Sequence, residues 1–386
     1  MHRWNHSVRR ALTRVLAAVT LAASLGIALP AAPASAAAAP LPSDVTFAST
    51  PVIDPSGLFM TSRGLDGSIL FSSGSPSTNG YSDFFNIGGS IIGDPTAVVA
   101  PEGAQVFARS AFTNAAVTNL VVSYRFPTGF QEIPGLAISS EVTAVKIPPR
   151  GSRPPMIRIF ARDLETGILY TNLLVQGAPQ GWVPLGIYTT SEVTAAVIPP
   201  GGLDIDIRLV VRSFDGRLWS MIFNNTTGPV TSWAPLGTLA VFGNPVLANE
   251  GFTSFFRGNE VFVRGPGGAL FTWNFDNPGW VSMGGVFQGD PGVAIPSDDG
   301  LHVYVRGTNN RIFVTRRPPG GSFGGYINLG GQATSNIAAS GGARGQRALV
   351  DQFITRSLEN RMSSRILPRV NAAYGGFFFF GGPLHG

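Results

Sequence analysis

The feature that most limits what this chain can fold into is a repeat. "VFVRGPGGALF" at Val261 to Phe271 returns as "VYVRGTNNRIF" at Val303 to Phe313. Aligned on the arginine of those segments, the chain yields seven copies, with Arg63, Arg109, Arg162, Arg212, Arg264, Arg306 and Arg356 in equivalent places. A second landmark follows each arginine: an aromatic residue, two variable positions, an apolar residue and usually glycine. Its aromatics are Phe84, Phe130, Trp182, Trp233, Trp280, Tyr326 and Phe377. A third landmark opens each unit, as in "DPTAVVA", "EVTAVKIP", "NPVLA" and "DPGVAIP". Three landmarks in one order, with a period of about 40–50 residues, exclude chance.

Each unit holds four short segments rich in valine, isoleucine and aromatics, separated by turn-formers, and so predicts four strands. Asp66-Gly67, Asp215-Gly216 and Gly267-Gly268 sit where hairpins between second and third strands need positive φ. With 49 glycines and 30 prolines, no helix longer than two turns goes uninterrupted. The expectation is an all-β fold, a seven-bladed β-propeller with four antiparallel strands per blade, over residues 51–382. A solenoid, the rival architecture, uses shorter coils or helices in each repeat. The repeats begin at a first strand and end at a fourth, so closure is expected from blade-to-blade packing, without a shared blade.

Residues 1–36 read as a secretory signal: a basic start with Arg3, Arg9, Arg10 and Arg14, the apolar run "VLAAVTLAASLGIAL" and the small-residue site Ala34 to Ala36. Both general secretion and twin-arginine export fit. Residues 37–50 are then a linker and 383–386 a tail. Removing the signal leaves 23 basic residues (27 minus 4) against 22 acids, so no nucleic-acid partner is indicated. There is no cysteine, which excludes cysteine-ligated metals, redox motifs and cysteine nucleophiles. No later apolar segment is long enough to cross a bilayer, so no membrane insertion is expected. The expected location is secreted, extracellular or periplasmic.

The segments "VFVRGPGGALF" and "GWVSMGGVFQGDPGVAIP" resemble the bacterial seven-bladed propellers of the PLL-like lectin family. More distantly they resemble tectonin-type and fungal fucose-binding propeller lectins. The resemblance covers about Val45 to Gly382. It implies monosaccharide binding, often of fucose-type sugars, in pockets between neighbouring blades. In the fungal relatives it implies an arginine, an acidic residue and an aromatic ring in each pocket. The arginine and the ring are present in every copy here, whereas no acid recurs at one fixed position.

Outside the signal there are two histidines, His302 and His385, too few for Ser-His-Asp catalysis or a histidine-rich metal site. No metal and no cofactor are expected. Asp54, Asp94, Glu141, Glu192 and Asp290 stand at the starts of first strands, facing the central opening. They could be the two carboxylates of a glycosidase, but because several copies carry an acid there a turn or capping role is favoured. "SFDGRLW" at Ser213 to Trp219 is similar to the Asp-box of sialidases with its glycine one position early, and reads as a hairpin turn. The arginines can bind turn carbonyls or a ligand. The rings can pack between blades or stack on a sugar face.

The expected function is a secreted, multivalent carbohydrate-binding propeller, not an enzyme, with glycans or glycoconjugates as partners. Trp182, Trp233 and Trp280 with Arg212 and Arg264 are its candidate sugar sites. The alternatives are a protein-binding or adhesion scaffold and, behind it, a glycoside hydrolase.

Overall fold

The computed structural model describes residues 52–53, 59–75, 80–81, 84–147, 154–198, 205–248, 259–295, 300–318, 320–341, 350–356, 362–368 and 378–380. The expected signal, linker and tail, and Asp54, Phe377 and His385, lie outside the described residues.

The strands of the described residues form seven antiparallel sheets, each a meander in chain order. Taken in that order, sheets 1 to 7 open with Val52–Ile53, Ile91–Ala100, Thr143–Ile147, Thr194–Ile198, Phe242–Leu247, Phe287–Ala294 and Ala338–Gly341. In sheet 3 these are followed by Met156–Arg162, Ile168–Val175 and Ala178–Tyr188, each paired with the strand before it. Sheets 1, 2 and 4 carry one extra short strand. The seven opening strands neighbour one another in cyclic order, and that of sheet 7 returns to that of sheet 1. The result is an all-β propeller. Among the described residues the one helical stretch is the 3-10 turn Pro266–Gly268. The hairpin glycines behave as their turns require, with φ of 81° at Gly67 and 75° at Gly216.

The core lies between sheets, not inside them. On the second strand of sheet 4, Leu209 and Val211 pack into the cluster shared with sheet 3. Val210, between them, packs into the cluster shared with sheet 5. Side chains alternate along a strand, so a strand buried on both faces must be apolar at every position, which is why "RLVVR" reads as a continuous run. Phe107, Phe160, Phe262 and Tyr304, at the matching place in sheets 2, 3, 5 and 6, are fully buried. Each contributes about 1.5–3 kcal/mol of burial.

The same alternation decides where the charges go. Residues two before and two after that central position share its face, which in sheets 2 to 5 turns toward the following sheet. In sheets 3, 4 and 5 these pairs are Arg158 and Arg162, Arg208 and Arg212, and Glu260 and Arg264. The earlier members clamp the sheets at one end of the ring. Arg158 donates through Nε and Nη2 to Asn225 Oδ1 and O, both at 3.0 Å. Arg208 lies over the Phe275 ring, 3.7 Å from its centroid. Glu260 pairs with Arg317 of sheet 6, itself stacked over Phe323. The later members are the recurring arginines, at the opposite end. His302 is buried against Tyr304 in sheet 6, a structural position.

Candidate functional site

At the arginine end of the ring, residues at or just before the start of the opening strands form a hydrogen-bonded belt. The backbone N–H of Asp94 donates to Glu141 Oε1 at 2.8 Å, that of Glu141 to Glu192 Oε2 at 3.0 Å, and that of Glu192 to Asn244 Oδ1 at 2.9 Å. The series continues with Asn244 N–H to Asp290 Oδ1 at 2.8 Å and Asp290 N–H to Asn336 Oδ1 at 3.0 Å. Asp290 Oδ2 also accepts from the side-chain amides of Asn244 and Asn336. A polar side chain therefore recurs at one fixed position, as Asp, Glu, Glu, Asn, Asp and Asn in sheets 2 to 7, and those of sheets 3 to 7 accept the bond from the preceding sheet. An acid does not recur in every copy, as expected; what recurs is the polar position. The substitution of asparagine in two copies and unequal loop lengths hide the pattern in the sequence.

The belt perturbs its carboxylates. Burial pushes Glu141 well above the usual carboxylate range, and the nearby Asp94 and Glu192 carboxylates push it further, against the Asp94 N–H and Arg109. Burial raises Glu192 to about 7, opposed chiefly by the Arg162 guanidinium. Burial also raises Asp290, in spite of its bonds from Asn244 and Asn336 and the charge of Arg264.

The recurring arginines lie between one sheet and the belt residue of the next, and they are not equivalent. Arg162 is fully engaged, donating to Ser139 Oγ at 2.9 Å, Ser139 O at 3.2 Å and Thr189 O at 3.3 Å. Arg63 donates from Nε to Gly93 O at 3.1 Å. Arg212 reaches Thr190 O through Nη2 at 3.1 Å, but its Nε is buried with no hydrogen-bond partner. The Nε atoms of Arg109 and Arg264 are buried in the same way. Arg264 and Leu270 of sheet 5, with Phe287, Asp290 and Pro291 of sheet 6, line a narrow cleft of about 10 Å³, room for roughly one water-sized group. An unpaired buried donor costs about 1–3 kcal/mol, so a hydroxyl presented to Arg264 would be stabilised there.

The tryptophans stand elsewhere. Trp280 is on the fourth strand of sheet 5 and donates from Nε1 to Leu236 O of sheet 4 at 2.6 Å. Trp233 does the same to Leu185 O of sheet 3 at 2.7 Å. The Trp280 and Trp182 rings, and Phe130 in sheet 2, rest on a glycine of the aromatic landmark of the previous copy, whereas Trp233 does not touch Gly186. A Cβ added at Gly237 would meet Trp280 at 3.2 Å, one at Gly135 would meet Trp182 at 3.7 Å, and one at Gly89 would meet Phe130 at 3.0 Å. All three tryptophans are partly buried and none lines the Arg264 cleft. The Arg264 cleft thus holds an arginine without a tryptophan: the rings sit on outer strands and the arginines at the ends of second strands. The aromatic that does line the cleft, Phe287, belongs to neither landmark. Its position two residues after the glycines closing the previous copy is its only sequence signal.

Asp215 accepts from the Arg217 N–H and Nε at 3.0 and 2.7 Å and from Trp219 Nε1, so "SFDGRLW" is a hairpin turn. Among the described residues no group of three or more histidines, aspartates or glutamates could hold a metal ion, and no helix is long and apolar enough to cross a membrane.

No protein-family model and no curated protein matches the chain. Among solved structures the fold is similar to a variant of the lectin AAL of Aleuria aurantia in complex with Fucα1-6GlcNAc. Identity is 12% and the TM-score 0.51, over 88% of this chain and 99% of that one. It is similar to AofleA from Arthrobotrys oligospora at 13% identity and a TM-score of 0.50, over 89% of each chain. It is also similar to BBS1N in complex with ARL6DN, at 10% identity and a TM-score of 0.53, over 86% of this chain and 99% of that one. One AAL structure is described as a six-bladed β-propeller with a fucose recognition mode, whereas the strands here form seven sheets. At such identities the likeness is one of fold: this chain is an all-β propeller.

Proposed function

We propose that this chain is an exported carbohydrate-binding propeller, its seven sheets acting as seven blades, with shallow sites in the clefts between them. The observation that carries the reading is Arg264, whose buried Nε has no partner and which shares a cleft with Asp290 and the Phe287 ring. A guanidinium donor, a carboxylate acceptor and an apolar ring are the groups that a sugar's hydroxyls and C–H face pair with. The cleft is narrow, which suits entry of one hydroxyl with the rest of the sugar lying across the rim. Arg212 and Arg109, with the same unpaired Nε, mark further sites between sheets 4 and 5 and sheets 2 and 3. Several weak sites on one rigid ring would combine by multivalency. In this reading Trp182, Trp233 and Trp280 hold adjacent sheets together and the sugar contacts fall to arginine and acid.

Export rests on residues 1–36 alone, and kinship with the bacterial PLL-like lectins rests on the segments around Val261 and Trp280. A glycosidase would need two carboxylates free to reach a substrate. Those of Glu141, Glu192 and Asp290 accept hydrogen bonds from the backbone of the neighbouring sheet, which favours binding over hydrolysis.

The test is a glycan array followed by calorimetry with the best ligand, fucosylated glycans included. Arg264→Ala is expected to weaken binding about tenfold, the loss of one charge-assisted hydrogen bond, with the melting temperature unchanged. An array without signal leaves the adhesion scaffold as the better reading, and turnover of aryl glycosides would favour the hydrolase.

A further inference from the structure

The hairpins joining second to third strands carry an apolar residue at the tip in four consecutive sheets: Leu65, Phe112, Leu164 and Phe214. Three of these are the most exposed large hydrophobic residues of the described chain, at 84% for Phe112, 79% for Phe214 and 67% for Leu65. In sheets 5 and 6 the corresponding positions are Pro266 and Thr308, and that of sheet 7, Leu358, lies outside the described residues, so among the described hairpins the crown falls on one arc. Ile92 and Tyr188 join it. Ile92 pairs with Arg109 and Tyr188 with Ile168, at the same end of the ring, and both are exposed. Packing does not require these residues, since hairpin tips of this kind ordinarily take polar residues.

We propose that this arc, sheets 1 to 4 at the belt end, is an isologous interface with a second copy of the chain. Area favours that occupant. At roughly 200 Å² for a large side chain, the six residues at their measured exposures present on the order of 700 Å². That is close to the ~800 Å² that each partner buries in a standard interface. Charge favours it as well. Residues 37–386 carry 23 basic residues (27 minus the 4 of residues 1–36) against 22 acidic, so two copies do not repel. The tips also carry both signs, with Arg217 paired to Asp215, as a face that must complement itself requires. The Arg264 cleft, between sheets 5 and 6, lies outside the arc and stays open in such a dimer, so each dimer would present sites from two rings.

The test is sedimentation velocity with light scattering on the full chain without residues 1–36, beside the double variant Phe112→Asp/Phe214→Asp. The wild type should run at twice the monomer mass. The variant should run as a monomer with unchanged circular dichroism and melting temperature, its dimer weakened by at least about a hundredfold, the loss expected from two interface anchors. A monomeric wild type overturns the proposal, and so does a variant that remains dimeric. A monomeric wild type that floats with neutral phosphatidylcholine vesicles, while the variant does not, would assign the crown to a lipid surface instead. Phe112 and Phe214 follow the Arg109 and Arg212 sites on the same hairpins, so sugar binding is read at the Arg264 cleft, outside the arc. A monomeric variant whose remaining binding is still lost on Arg264→Ala separates loss of the dimer from loss of the sugar site.

Discussion

Trp280 and Leu236 are 44 residues apart, yet the indole N–H of the first donates to the carbonyl of the second at 2.6 Å. The bond joins the outer strands of sheets 5 and 4, and the ring lies over Gly237. Trp280→Phe keeps the ring and removes the donor, leaving a partly buried carbonyl unpaired. It should cost about 1 kcal/mol and lower the melting temperature by a few degrees. Gly237→Ala should cost more, because the added methyl meets the indole at 3.2 Å and φ is 66° there. Thermal unfolding of both variants measures this, and a Gly237→Ala protein as stable as wild type would contradict the packing argument.

The belt makes stability depend on pH in an unusual direction. Glu192 holds its proton up to about 7 in the folded chain, while the unfolded chain releases it near the ordinary glutamate value. The folded state therefore binds the proton more tightly, and the stabilisation is full below the unfolded value and lost as pH rises through about 7. Glu141 shifts in the same direction. The groups facing the pair are Asp94, Arg109 and Arg162. The effect is at most ~3 kcal/mol, less what solvent screens at partly exposed side chains. The melting temperature is expected to be higher at pH 5 than at pH 8, and Glu192→Gln should flatten that slope. A slope left unchanged by the substitution would count against the assignment.

Glu260 and Arg317 form a pair between sheets 5 and 6, with both side chains largely buried. Glu260 also accepts from Thr272 Oγ1 at 2.7 Å. Glu260→Ala strands a buried guanidinium and should cost about 3–5 kcal/mol. Replacing both partners with methionine should cost much less, because no buried charge is left uncompensated. Chemical denaturation of the two variants decides it. Equal losses would mean that the pair stabilises by attraction alone.

Asp290 is the most heavily bonded belt residue, accepting from the Asn244 N–H and from the side-chain amides of Asn244 and Asn336. Asp290→Asn keeps the shape but sets amide against amide. It should lower stability by about 1–3 kcal/mol and remove an acceptor from the Arg264 cleft. Denaturation and calorimetry with a bound glycan separate the two effects.

What the sequence determined by itself are the properties read within one unit. Period-2 apolar segments between glycines make strands, and Asp66-Gly67 and Asp215-Gly216 make hairpins. Seven recurrences make a propeller more economical than any rival, and the arginine's fixed distance from the central apolar residue sets the face it shares. Only the tertiary structure decided how neighbouring units meet. The belt joins residues 46 to 52 apart, and loops of unequal length, together with the exchange of Asp, Glu and Asn, conceal that they hold one position. The tryptophans look alike whether they stack on a ligand or on the preceding sheet, because a flat apolar ring suits both. The arginines are identical in sequence, yet Arg162 is saturated by Ser139 and Thr189 while Arg264 keeps an unpaired donor in a cleft. Pairing of that kind depends on which carbonyls and hydroxyls another sheet brings within 3 Å or so, and local chain rules carry no information about that.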